Sequence, residues 1–96
     1  MKLIISKPAE EDLREIYTYI ASDNPSAASK MVEVFRRSFD ILIGMPRAGS
    51  KRLDLTEKDV LFYVIKKRYL VVYTKRDNNL IILRVLTTYQ DICSLF

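Results

Sequence analysis

The chain alternates between compact apolar runs and amphipathic stripes, and the pattern changes period twice. Lys2-Leu3-Ile4-Ile5-Ser6 is a short β-prone run that Pro8 ends. Leu13, Ile16, Tyr17 and Ile20 then recur at i, i+3, i+4 and i+7, which predicts one apolar stripe on a helix over roughly residues 8–22. Glu10, Glu11 and Asp12 crowd its first turn, where the helix dipole favours negative charge. Asp23-Asn24-Pro25-Ser26 breaks the pattern, with Asn24 as N-cap and Pro25 as the first residue of a second helix. Its stripe is Ala28, Met31, Val32, Phe35, Phe39 and Leu42, and Gly44 and Pro46 stop it near Ile43. Tyr17, Phe35 and Phe39 are expected in the core.

Residues 46–59 have no periodicity and read as a charged loop. Three strands follow: Val60–Ile65, Tyr69–Thr74 and Leu80–Leu86. The connections Lys66-Lys67-Arg68 and Arg76-Asp77-Asn78-Asn79 are too short for parallel crossovers, so these strands form an antiparallel meander. The expected fold is α+β in two layers, order β-α-α-β-β-β, with a helical hairpin packed on an antiparallel sheet. The opposite sheet face is left open, or is partly covered by the tail Gln90–Phe96.

Composition narrows the class. The chain has 96 residues, which suits one domain spanning 1–96. It has a single cysteine, so no internal disulfide, and no histidine. The first argues against a secreted disulfide scaffold, and the second removes the commonest general base and metal ligand. No metal site, catalytic residue or cofactor is expected. With no apolar run of membrane-spanning length and no signal-peptide pattern, the expected location is the cytoplasm, with no membrane partner.

Charge is unevenly spread. Residues 1–46 hold six Lys/Arg against seven Asp/Glu, whereas residues 47–84 hold ten against four. A positive field in the second half suits an acidic protein segment, a nucleic-acid backbone, or both. Arg47, Lys51 and Arg52 stand on the loop after the second helix, where they either grip anions or form a solvated surface. Lys66-Lys67-Arg68 reads as a polar hairpin turn. Arg84 interrupts an apolar run. Period two puts it with Ile82 and Leu86, opposite Leu83 and Val85, as a binding residue on the open face or a simple outward strand residue. Tyr69 and Tyr73 share one face of their strand. Tyr89 lies just past the last strand.

Several local patterns together resemble the RelE/ParE toxin superfamily, on its ParE-like, plasmid-stabilisation side. They are the Pro-Ala, acidic-pair and Asp-Leu opening of Ser6–Ile20, the start Asn24-Pro25-x-Ala27-Ala28, the turn Met45-Pro46-Arg47-x-Gly49, and the pair Tyr69-Leu70-Val71-Val72-Tyr73 and Ile82-Leu83-Arg84-Val85-Leu86. The resemblance implies the toxin of a two-gene toxin–antitoxin system that binds an acidic antitoxin and inhibits DNA gyrase. The alternatives it carries are a ribosome-dependent messenger-RNA endoribonuclease of RelE type, and a member that only binds antitoxin. RelE-type nucleases commonly place an arginine where Leu70 stands, which weighs against the nuclease. Arg47, Lys51, Arg52, Arg68, Arg84, Tyr89 and Asp91 are the expected target- or antitoxin-binding residues. On the nuclease alternative, Arg52, Lys66, Arg68, Arg84 and Tyr89 would supply the cations and polar groups at the phosphate.

Overall fold

A computed structural model describes residues 1–54 and 56–87. The elements follow the expected order: β1 (Lys2–Ile5), α1 (Lys7–Asp23), α2 (Pro25–Gly44), β2 (Leu61–Ile65), β3 (Tyr69–Arg76) and β4 (Asn79–Thr87). Local chemistry fixes the helix starts. The Ser6 hydroxyl accepts from Ala9 N at 3.2 Å and donates to Leu83 O at 2.8 Å, so one side chain caps α1 and ties it to β4. Asn24 Oδ1 accepts from Ala27 N at 3.1 Å and caps α2, while the Asn24 N–H closes α1 onto Ile20 O. One residue thus ends one helix and begins the next.

The strands lie in the order β1-β4-β3-β2. The meander β2-β3-β4 is antiparallel as expected, but β1 pairs parallel to β4, which makes the sheet mixed. The helical hairpin accounts for this: it carries the chain across the sheet before the meander begins, so β1 returns to neighbour the last strand instead of the next.

β3 is central and apolar on both sides. Tyr69, Val71 and Tyr73 join Ala9, Ile16, Phe35, Phe39 and Leu42 in the core beneath the helices. Leu70 and Val72 join Val60, Phe62 and Leu86 in a second buried cluster on the other face. That second face, expected open or tail-covered, therefore carries five buried apolar residues. Residues 90–96 lie outside the described residues. Phe35 and Phe39 are buried, but Tyr17 is 43% exposed, and Val32 of the predicted stripe is 51% exposed. Each stripe extends past what the other helix and the sheet cover, so its outer margin faces solvent.

The β3–β4 hairpin has a two-residue loop and the β2–β3 hairpin a three-residue loop, yet each places two consecutive residues in the left-handed region. Asp77 and Asn78 have φ 52° and 62°, the left-handed values of a type I′ turn, and their short polar side chains tolerate them. Lys66 and Lys67 take φ 52° and 55°, with Arg68 N closing onto Ile65 O at 3.0 Å. For lysine the left-handed region costs roughly 1–2 kcal/mol per residue.

Candidate functional site

Arg84 is where sequence reasoning and structure part most clearly. Val72 pairs with Arg84 and Tyr73 with Ile82, so Leu83 is an extra residue in β4. This β-bulge breaks the period of two. Ile82 and Val85 consequently share the helix-covered face, whereas Leu83 and Leu86 pack on the other, which corrects the expected grouping. Arg84 is not a free binding residue. Its Nε and Nη2 donate to Asp12 of α1 at 2.7 and 3.0 Å, and Val85 N donates to the same carboxylate at 3.0 Å. β1 ends at Ile5, so beyond it the edge of β4 has no strand neighbour on that side among the described residues, and Asp12 caps the exposed amide there. The hydrogen bonds to Asp12 hold the Arg84 guanidinium charged more firmly than usual.

The turn after α2 is likewise locked. Tyr73 is fully buried, and its hydroxyl donates to Pro46 O at 2.7 Å and accepts from Gly49 N at 2.8 Å. Burial pushes the Tyr73 pKa up. A Cβ on Gly49 would lie 2.5 Å from that hydroxyl and 2.9 Å from Phe62 O, so only glycine fits. Ser50 bridges to Phe62 at the outer edge of β2. The Pro-Arg-x-Gly pattern is thus the outside of a clasp whose inside is a core tyrosine.

This clasp presents one of two concave surfaces. The first is a cleft of about 930 Å³ lined by Arg47, Lys51, Lys75, Asp59, Leu61 and Thr74, among others. Lys51 pairs with Asp59 at 3.2 Å, and Arg47 and Lys75 are exposed. Arg52 lies nearby in sequence and forks onto Asp54 at 3.0 and 2.8 Å. The second is an apolar groove of about 280 Å³ between α1, α2 and β1, bordered by Leu3, Ile5, Leu13, Tyr17, Met31 and Val32. Ser6 N and Lys2 N donate to β4, so in this parallel ladder the Leu3 and Ile5 backbone groups point away from the sheet. Among the described residues, β1 has no partner on that outer side.

The expected site residues therefore do not converge. Arg47 and Lys51 share the cleft at one end of the sheet. Arg68 sits at the β2–β3 tip, at the other end of β3. Arg84 is held by Asp12. Tyr89 and Asp91 lie outside the described residues. Sequence reasoning missed the apolar groove and Asp12. An arginine inside an apolar strand was the signal for a carboxylate partner, because a part-buried charge needs one. Among the described residues there is no cluster of metal-ligating side chains, and no helix is long and apolar enough to cross a membrane.

Comparison with known proteins gives the chain its family. The family model described as the ParE toxin of the type II toxin–antitoxin system parDE matches residues 3–92. A search of curated proteins finds no match. Among solved structures, one described as a chromosomal ParDE toxin–antitoxin system from P. aeruginosa superposes with a TM-score of 0.77 at 21% identity, covering 92% of this chain and 96% of that one. The conserved hypothetical protein HP0894 of Helicobacter pylori superposes with a TM-score of 0.52 at 18% identity, covering 91% and 93%. These two likenesses bear on the fold, which they share over nearly the whole chain. The family match, running from β1 past the end of β4, is what decides identity: this chain belongs to the ParE toxin family of type II toxin–antitoxin systems.

Proposed function

We propose that this chain is a cytoplasmic toxin that inhibits DNA gyrase and is neutralised by an acidic antitoxin encoded beside it. The observation that carries the reading is the family match over residues 3–92. Two features favour a protein partner. The groove beside β1 joins exposed apolar side chains to outward-facing strand amides, which suits a segment that adds a strand and buries apolar residues at once. The cleft carrying Arg47, Lys51 and Lys75, with Arg52 close by, suits carboxylates on an antitoxin or on the target. Gyrase is favoured over messenger RNA by Leu70 at the position of the nuclease arginine and by the lack of any histidine in the chain.

The test is expression of the chain with and without its neighbouring reading frame. Alone, it should arrest growth and induce the DNA-damage response, and co-expression of the acidic partner should relieve both. Val32→Glu places a charge on the exposed margin of the groove. It should keep toxicity while raising the antitoxin Kd at least tenfold, about 1.4 kcal/mol. Cleaved messenger RNA without DNA damage would support the nuclease instead. Complex formation without growth arrest would leave a member that only binds antitoxin.

A further inference from the structure

The β2–β3 tip combines two features that are not found together at any other turn of the described residues. First, Lys66, Lys67 and Arg68 are three consecutive exposed cations, and none has a carboxylate in ion-pair reach among the described residues. Lys51, Arg52 and Arg84, from the same basic half, each hold one. Second, Lys66 and Lys67 occupy the left-handed region at φ 52° and 55°. The other hairpin meets the same demand with Asp77 and Asn78, which suit it. Lysines thus occupy the strained turn where Asn-Gly would be more stable, and strain kept at an exposed position points to function.

We propose that Lys66-Lys67-Arg68 is a contact site for the phosphate backbone of a nucleic acid. Phosphates fit better than a protein surface. Lysine is depleted at protein interfaces, whose strongest contacts centre on buried aromatic and arginine anchors. Among the described residues this tip has no buried aromatic or arginine anchor. Along β2 and β3, the exposed large apolar residue next to it among the described residues is Val64, back on the strand at 44% exposure. Consecutive cations without an apolar centre are the footprint of backbone neutralisation. The tip also lies about 23 Å along β3 from Lys75, at roughly 3.3 Å per residue, so it acts apart from the cationic cleft. This site goes beyond the toxin reading and needs neither gyrase nor antitoxin.

The experiment is fluorescence anisotropy of the full chain against a labelled 20-base-pair DNA duplex, and against RNA of the same sequence, across a potassium chloride series. The tighter arm identifies the source of the phosphates. Three contacts predict a slope of log K against log salt of about −2.7 on duplex DNA. K66N/K67G should flatten that slope by about 1.8 and Arg68→Gln by about 0.9. R47Q/K75Q removes two charges at the far end and should leave the slope unchanged. Because it relieves the two left-handed lysines, K66N/K67G should also melt about 8–16 °C higher. Three results would each overturn the proposal: an unchanged slope in K66N/K67G, an equal flattening in R47Q/K75Q, or polyglutamate displacing the nucleic acid as effectively as unlabelled duplex. A lower melting temperature in K66N/K67G would remove the strain argument on which the site rests.

Discussion

Removing Asp12 should be the most damaging single change at the junction of α1 and β4. Asp12→Ala deletes three hydrogen bonds, at 2.7, 3.0 and 3.0 Å. It leaves Arg84 without a counter-charge and Val85 N–H unmatched at the sheet edge. A bond to a charged partner contributes about 1.5–3 kcal/mol, but three bonds to one carboxylate do not add. The Asp12 side chain is 13% exposed and that of Arg84 32%, so water recovers part of the loss on the arginine side. The expected loss for Asp12→Ala is about 3 kcal/mol, or roughly 12–24 °C in melting temperature for a domain of this size. Arg84→Ala should lose only about 1–1.5 kcal/mol, because Asp12 still accepts from Val85 N. The double variant should fall within about 0.5 kcal/mol of Asp12→Ala alone, since both changes break one network. Urea unfolding of the three variants and the parent measures all of this. The reasoning fails if Arg84→Ala costs as much as Asp12→Ala, or if Asp12→Ala costs less than about 1 kcal/mol.

The clasp around Tyr73 makes two further predictions. Gly49→Ala would force a Cβ to 2.5 Å from the Tyr73 hydroxyl and should destabilise by about 2 kcal/mol or more, whereas Gly44→Ala, with nothing within 4 Å, should be neutral or gain about 0.5–1 kcal/mol; thermal melts of the pair compare them directly. Burial raises the Tyr73 pKa in the folded state, so above about pH 10 the unfolded chain sheds that proton first and stability falls as pH rises. Urea midpoints between pH 8 and pH 11 should show an alkaline decline that is shallower in Tyr73→Phe.

The elements were legible because their signals are local. Asn24-Pro25 announces a helix start through its own side chain and ring, and the unbroken apolar run from Tyr69 to Tyr73 is the pattern of a central strand buried on both faces. What escaped depends on partners distant in sequence. The parallel placement of β1 follows from where the helical hairpin returns the chain. The face assignment on β4 failed because the bulge at Leu83 arises from pairing with β3, which no one-strand pattern encodes. Tyr17 and Val32 matched the helical period, but the period gives the width of a stripe and not how much of it the sheet covers. Gly49 was seen as part of a turn, while its reason, a tyrosine hydroxyl 24 residues away, required the fold. Ser6 read as the end of a strand, and its second role as the cap of α1 follows only from where β1 stops. Of the candidate cations, the sequence identified the residues and the basic half they occupy, but not that they divide between the two ends of the sheet.

One measurement decides whether this ParE family member acts on gyrase and is held in check by an antitoxin, as proposed. The direct measurement is gyrase-catalysed supercoiling of relaxed plasmid in the presence of the purified chain, with the neighbouring acidic protein titrated in. The expected result is dose-dependent loss of supercoiling by the chain alone and full recovery near one equivalent of antitoxin. Undiminished supercoiling at a large excess of folded chain, with messenger RNA cut in a translating extract by the same preparation, would contradict it.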